Sequence, residues 1–246
     1  MVSPIADYAL IGDLGTAALV SRNGSIDWLC WPRFDSDACF AALLGTPEHG
    51  RWLVAPRDER VRTSRRYREN TLILETCFET SDGVAVLTDF MPRREQNSHL
   101  IRIVTGERGS VSFRSELILR FGYGSTIPWV TRADATTLSA IAGPDMAVLR
   151  SPVAMRGENF KTIGDFTVRA GESLPLVLSF GRSHATPPPP IDPFEKLRTT
   201  EEYWQNWASK NKINGPWKGY VTRSLITLKA LTYAPTGGLA AAPNTQ

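Results

Sequence analysis

The sequence predicts a mainly β fold, a large antiparallel sandwich followed by helices. Three observations predict it. Asn-Gly and Asp-Gly pairs punctuate short apolar runs, as hairpin turns require. In several of those runs apolar and polar residues alternate, the period of a strand with one buried face. The run Thr186-Pro-Pro-Pro-Pro-Ile-Asp-Pro193 then ends the pattern, and beyond it the apolar spacing becomes helical.

The elements follow in order. Ala17–Val20 and Ser25–Trp31 flank Asn23-Gly24, and Thr71–Glu79 and Val84–Met91 flank Asp82-Gly83; both pairs read as hairpins. Leu100–Thr105 and Val111–Arg120 read as two strands flanking Gly106–Gly109. Further strands are expected at 137–141, 147–150, 159–163, 166–169 and 174–180. So many short strands at this spacing argue for one large sandwich over residues 1–185. Residues 186–215 form a stiff proline-rich linker and a helix. Thr199 and Glu202 offer a capping box there, and Tyr203, Trp204, Trp207 and Ala208 share a face. Residues 216–246 form a second helix and a small-residue loop. Pro216 fits the helix's first turn, and Trp217, Val221, Leu225, Leu228 and Leu231 make its apolar stripe.

Composition bounds the function. The chain has 246 residues, 42% hydrophobic and 22% charged, so it is globular. A net charge of +3 spread over 28 basic and 25 acidic residues is too mixed for a nucleic-acid footprint. The densest basic run, Arg57 to Arg68, is broken by Asp58 and Glu59 and reads as a solvated face. No apolar run approaches the roughly 20 residues of a membrane helix. Cys30, Cys39 and Cys77 match no metal or redox spacing and read as free thiols. No signal peptide is visible, so a cytoplasmic location is expected. Neither nucleic acid nor membrane is an expected partner.

The residues that carry chemistry are few. His49, His99 and His184 are far apart in polar, turn-like settings, with no metal-ligand spacing, so neither metal nor cofactor is expected. Ile11-Gly-Asp-Leu-Gly15 precedes a strand rather than opening a helix, which excludes a nucleotide loop. The cluster Asp27-Trp-Leu-Cys-Trp-Pro-Arg-Phe-Asp-Ser36 has a composition that suits a sugar: aromatic faces for the ring, arginine and carboxylate for hydroxyls. Trp31, Arg33, Phe34 and Asp35, together with Trp28, are the candidate substrate-binding residues. The same residues also suit core packing of Trp28 and Trp31 with an Arg33–Asp35 ion pair. A second aromatic and basic cluster, Arg120–Gly124 with Ile127-Pro-Trp129, reads as a bulge or loop. No pair of carboxylates is marked for the two-acid chemistry of glycoside hydrolysis.

The 32 residues Ile5–Ser36 closely resemble the start of bacterial and archaeal family-15 glycoside hydrolases, the glucoamylase and trehalase-like enzymes. The resemblance continues through Leu87–Pro92, Arg120–Gly124 with Pro128-Trp129, Tyr203-Trp204 and Ser224–Gly237, and covers essentially the whole chain. It implies a β-supersandwich leading through linker helices into an (α/α)6 barrel that cleaves α-glucosidic bonds with inversion, using two glutamates. On this likeness residues 216–246 are the first helix and loop of an incomplete barrel. The family's sugar-gripping Trp-x-Arg-Asp segment and both glutamates come later than residue 246, so no catalytic residue carries over. Gly122 stands where the family pattern has an acid. The expected protein is the non-catalytic front of such a hydrolase; a carbohydrate-binding sandwich module and the scaffold half of a split enzyme are the alternatives. Its expected partners are the missing barrel, an α-glucan or disaccharide, and, through the apolar stripe of 216–246, a second copy of itself.

Overall fold

The computed structural model describes residues 4–243; the first three residues and the last three of the C-terminal loop lie outside the described residues. Fifteen strands form the body: β1 Tyr8–Gly12, β2 Ala17–Ser21, β3 Ser25–Cys30, β4 Ala38–Phe40, β5 Arg51–Pro56, β6 Arg62–Tyr67, β7 Leu74–Glu79, β8 Gly83–Phe90, β9 His99–Ile118, β10 Trp129–Arg132, β11 Thr137–Ala142, β12 Asp145–Arg150, β13 Arg156–Glu158, β14 Lys161–Arg169 and β15 Ser173–Arg182. Every pairing between these strands is antiparallel. Two helices follow, α1 Pro193–Ala208 and α2 Lys218–Ala230. Neither is long and apolar enough to cross a membrane.

Strand β9 organises the sandwich. Its first half pairs with β8 and β15, its second half with β5 and β14. One sheet therefore runs β1-β2-β3-β5-β9-β14-β13, with β4 also on β3, and the other runs β6-β7-β8-β9-β15-β12-β11-β10. The two strands expected on either side of Gly106–Gly109 are one 20-residue strand. Both glycines serve close approach rather than a turn. A Cβ on Gly106 would lie 2.2 Å from Arg169 O, and one on Gly109 2.1 Å from Asp82 O. Similarly, the strands expected at 159–163 and 166–169 become the single strand β14 from Lys161 to Arg169, with Asn159 and Phe160 in the turn before it.

The inward faces of both sheets share one core that includes Ile26, Trp52, Phe78, Phe113, Leu149 and Leu178. Arg102 pins the sheets together through that core. Its Nε donates to Asp89 Oδ1 at 2.7 Å, and its other nitrogens reach Trp52 O at 2.5 Å and Gly24 O at 2.7 Å. His99 is also buried, in β9 rather than in the polar turn expected, with Nδ1 2.8 Å from Ser179 Oγ.

The linker does not hold the helices away. Pro188 packs against Gly181, Arg150 donates to Pro188 O, and Ile191 and Leu197 join a cluster with Ile73, Phe90, Ile101, Ile103 and Val177. Helix α1 starts earlier than the expected capping box. Asp192 caps it by accepting from the amides of Phe194 and Glu195, with Pro193 in the first turn. Thr199 lies inside the helix and turns its hydroxyl back to Glu195 O, while Glu202 pairs with Arg198.

Candidate functional site

The site built most completely from this sequence is a cradle for the C-terminal helix and its loop, at the sheet edge formed by β1 and β6. Its base is the turn between β1 and β2. Asp13 is buried, and its Oδ1 accepts from the amides of Gly15 and Thr16, both at 2.9 Å, an Asx-type turn. Its Oδ2 accepts from Ser98 Oγ at 2.6 Å and from Arg94 Nη2 at 2.9 Å. This set of donors over-determines the turn. It thereby holds Leu14 at φ +66, a left-handed conformation that costs a branched residue energy. The turn aims its carbonyls outward. Leu14 O accepts from Ala234 N at 2.8 Å, and Gly15 O from Phe34 N at 3.1 Å.

Helix α2 docks beside that turn. Thr222, Ile226 and Ala230 are its buried residues, four apart on one face. Ile226 and Ala230 cluster with Leu14, Leu72, Trp204 and Ala208. The expected stripe of Trp217, Val221, Leu225, Leu228 and Leu231 is corrected: it is not the docked face. Trp217 is 70% and Tyr220 73% exposed, with ring centroids 5.8 Å apart, and Leu228 is 49% exposed. Of the stripe's leucines only Leu228 is exposed, while Leu225 and Leu231 are half-buried beside the docked face of Thr222, Ile226 and Ala230. Tyr67 links the layers. Its hydroxyl donates to Leu10 O at 2.8 Å and accepts from Leu10 N at 2.9 Å, while the Arg223 guanidinium lies 4.2 Å over its ring. Arg223 also donates to Thr71 O at 2.7 Å, and Arg68 pairs with Glu201 on α1 at 2.8 Å. Burial pushes the Tyr67 phenol up and draws the Arg223 guanidinium down.

The aromatic cluster singled out in the sequence is part of this cradle. Trp31 is buried: its indole N–H donates to Ser98 Oγ at 2.8 Å and its ring packs on Phe180 at 5.8 Å. That corrects its assignment as a sugar platform, because neither ring face reaches solvent. Trp28 is buried as well, donates to Pro243 O at 2.6 Å, and its ring lies 6.2 Å from Tyr123. Arg33 and Asp35 are exposed and pair with each other at 2.8 Å. Phe34 is half-buried, with its ring edge-to-face on Tyr233 at 6.5 Å. In the second cluster, Arg120 is buried and donates to Leu119 O and Phe160 O. Gly122 adopts φ +58, a conformation that aspartate tolerates better than most residues.

Sequence reasoning missed Leu14, Tyr67, Leu72 and Arg223. The one available signal was Asp13 two residues before a glycine, which marks an Asx turn. The chemistry of the cradle is adhesion. Its buried carboxylate Asp13 is held by Arg94, as Asp89 deeper in the core is held by Arg102. His99 is kept neutral, its pKa lowered to about 4 chiefly by burial. None of these groups is poised to move a proton onto a leaving group.

A two-sheet supersandwich that carries C-terminal helices on one edge is the architecture of the N-terminal region of family-15 glycoside hydrolases. The chain belongs to the family described as "Trehalase-like, N-terminal", whose model matches residues 1–204. It is 31% identical to a trehalase of Mycobacterium tuberculosis over 269 aligned positions, which cover 98% of this chain and 39% of that protein. A trehalase of Thermoplasma volcanium is 28% identical, with 96% and 39% covered. Among solved structures, a bacterial glucoamylase complexed with acarbose superposes with a TM-score of 0.58 at 12% identity, covering 94% of this chain and 41% of that one. The chain thus spans about two-fifths of the length of the proteins it matches.

Proposed function

We propose that this chain is the non-catalytic platform of an α-glucosidic hydrolase of the trehalase or glucoamylase type. Its task is to seat the first helix and loop of the catalytic part and fix their direction. One observation carries the reading. Helix α2 is docked by a narrow face of Thr222, Ile226 and Ala230, while Trp217, Tyr220 and Leu228 remain uncovered on the other side. That is how a helix is built when it belongs to two layers. The length of the related trehalases supports the same reading, since each extends well beyond the matched region. Within this proposal Arg33, Phe34 and Asp35 act on the loop rather than on a sugar: the Arg33–Asp35 pair shapes the turn and Phe34 braces Tyr233. The free thiols of Cys30, Cys39 and Cys77 fit the cytoplasmic location proposed with it.

The experiment is glucose release from trehalose, maltose and soluble starch by the purified 246-residue chain. The expected result is none above a matched blank. Turnover that co-purifies with the chain and disappears on its depletion refutes the non-catalytic assignment.

A further inference from the structure

The sandwich has a second lateral edge, opposite the cradle. Counting strands from β1 to β13, it lies six spacings away, about 29 Å along the sheet. There β10 ends one sheet, β13 ends the other, and a groove of about 840 Å³ opens between them. Its floor includes Leu117, Leu138, Leu149 and Leu178. On its rim Trp129 and Phe160 are each 77% exposed, Ile127 51% and Val130 47%. Phe160 is held there at φ +58, unusual for a bulky residue, with Arg120 donating to its carbonyl. These side chains expose on the order of 500 Å², against the ~800 Å² per partner of a stable interface. That is the size of the largest apolar patch on a typical monomer, which is often functional.

A comparison of sheet edges singles out β10. An exposed edge strand templates pairing unless something blunts it. At β1 the edge is covered by α2, and the Tyr67 hydroxyl satisfies both the amide and the carbonyl of Leu10. At β6 the edge carries Arg62, Arg65 and Arg66, and three-residue β13 reads Arg156-Gly157-Glu158. Strand β10 is Trp-Val-Thr-Arg, exposed at all four positions, in unbroken register with β11 and with no internal proline.

The ladder fixes which backbone groups are free. Ala133 N donates to Thr137 O, and β10 pairs Trp129 with Ile141 and Thr131 with Ser139. Hydrogen-bonded pairs alternate along an antiparallel ladder. Trp129 and Thr131 therefore turn their amides to β11, while Val130 and Arg132 turn theirs outward.

We infer that β10 is a dimerisation strand, and that its partner is β10 of a second copy of this chain, paired antiparallel about a two-fold axis through Val130. The axis must pass through a residue, because side chains opposite each other in a ladder point to the same face. Placed at Val130, it sets that residue against itself as a hydrogen-bonded pair, using the outward amides. It also sets Trp129 against the partner's Thr131, an aromatic and β-branched pair of the kind sheets favour. Each Arg132 falls opposite the partner's Pro128, so no like charges oppose. The axis leaves α2 and its uncovered face untouched, so the inference stands apart from the proposed function.

Sedimentation of the 246-residue chain over a concentration series tests it. The parent is expected to pass from monomer to dimer. Val130→Pro removes an outward amide and no β11 bond, and Val130→Lys adds a charge on the axis. Each is expected to stay monomeric with the parent's circular dichroism spectrum. Val130→Cys, mildly oxidised, is expected to give a covalent dimer that the parent does not, because paired residues on the axis lie about 5.5 Å apart, within disulfide reach. The double variant Trp217→Ala/Tyr220→Ala should dimerise like the parent. A parent that remains monomeric at its solubility limit overturns the inference. So does a dimer that survives Val130→Lys, or one abolished by the Trp217/Tyr220 change. Failure of Val130→Cys to cross-link a proven dimer overturns the register. Glucose release plays no part in these readouts, so the two proposals fail separately.

Discussion

Replacing Ile226 with alanine tests whether the α2 cradle is a distinct, locally stabilised unit. Ile226 is fully buried between the β1–β2 turn, Leu72 and Trp204. The change removes three carbons, about 2.4 kcal/mol at ~0.8 kcal/mol each, and leaves a cavity on top. A loss near 3 kcal/mol is large for this helix, whose buried face otherwise offers only Thr222 and Ala230. It raises the undocked population roughly 100-fold, at ~1.4 kcal/mol per factor of ten, provided the loss stays local. Amide exchange followed by mass spectrometry reads this directly. Peptides covering 218–230 should lose about two orders of magnitude of protection, while peptides from β9 and β5 keep theirs. The Tyr233–Gly238 loop should loosen together with α2, because Ala234 N is tied to Leu14 O on the same turn. Leu228→Ala, on the exposed face, should change nothing measurable. If β9 loses protection in step with α2, the helix is cooperative with the sandwich and the reasoning is wrong. Unchanged protection in Ile226→Ala refutes the packing argument itself.

Two further outcomes follow from buried groups. Arg102→Met strands Asp89 and two carbonyls in the core, and should cost about 3–5 kcal/mol in urea unfolding; the double change Asp89→Leu/Arg102→Met should recover much of it, and no recovery would show that the pair is not the source. His99 has its pKa lowered from the ordinary 6.5 to about 4, so the fold favours neutral imidazole; its contribution, on the order of 3 kcal/mol, is complete above pH 6.5 and drains away as pH falls toward 4. The stability of His99→Gln, measured by urea unfolding at steps between those pH values, should fall less steeply than the parent's; parallel curves would refute the assignment.

The sequence revealed most of the fold and only the outline of the site, for identifiable reasons. The hairpin at Asn23-Gly24 was legible because Gly24 adopts φ +82, as such a turn demands. Gly106 carried the same letter for a different reason, letting a strand pass a neighbouring backbone at close range, and Gly109 combines such close approach with φ +62 inside the strand. Local composition does not separate those two uses of glycine. The α2 face was misread because hydrophobicity ranks leucine above threonine and alanine, whereas the residues α2 buries are Thr222, Ile226 and Ala230. For Trp28 and Trp31, the residues that decide their role lie 215 and 67 positions away, at Pro243 and Ser98. A cluster of aromatic letters announces that something is bound. In this chain much of what is bound is the protein's own distant segments.

Strand β9 has a consequence for synthesis on the ribosome. Arg182, the end of β15, lies 64 residues beyond Ile118, the end of β9. At roughly 5–20 residues per second the wait is about 3–13 s. Until first β14 and then β15 are made, β9 has β5 and β8 along one side, but the other side stays open to pairing with anything nearby. The nascent chain therefore carries a 20-residue half-satisfied edge while its own partners are still being made. Slow translation of residues 119–182 should lower the soluble yield, and holding chaperones should restore it.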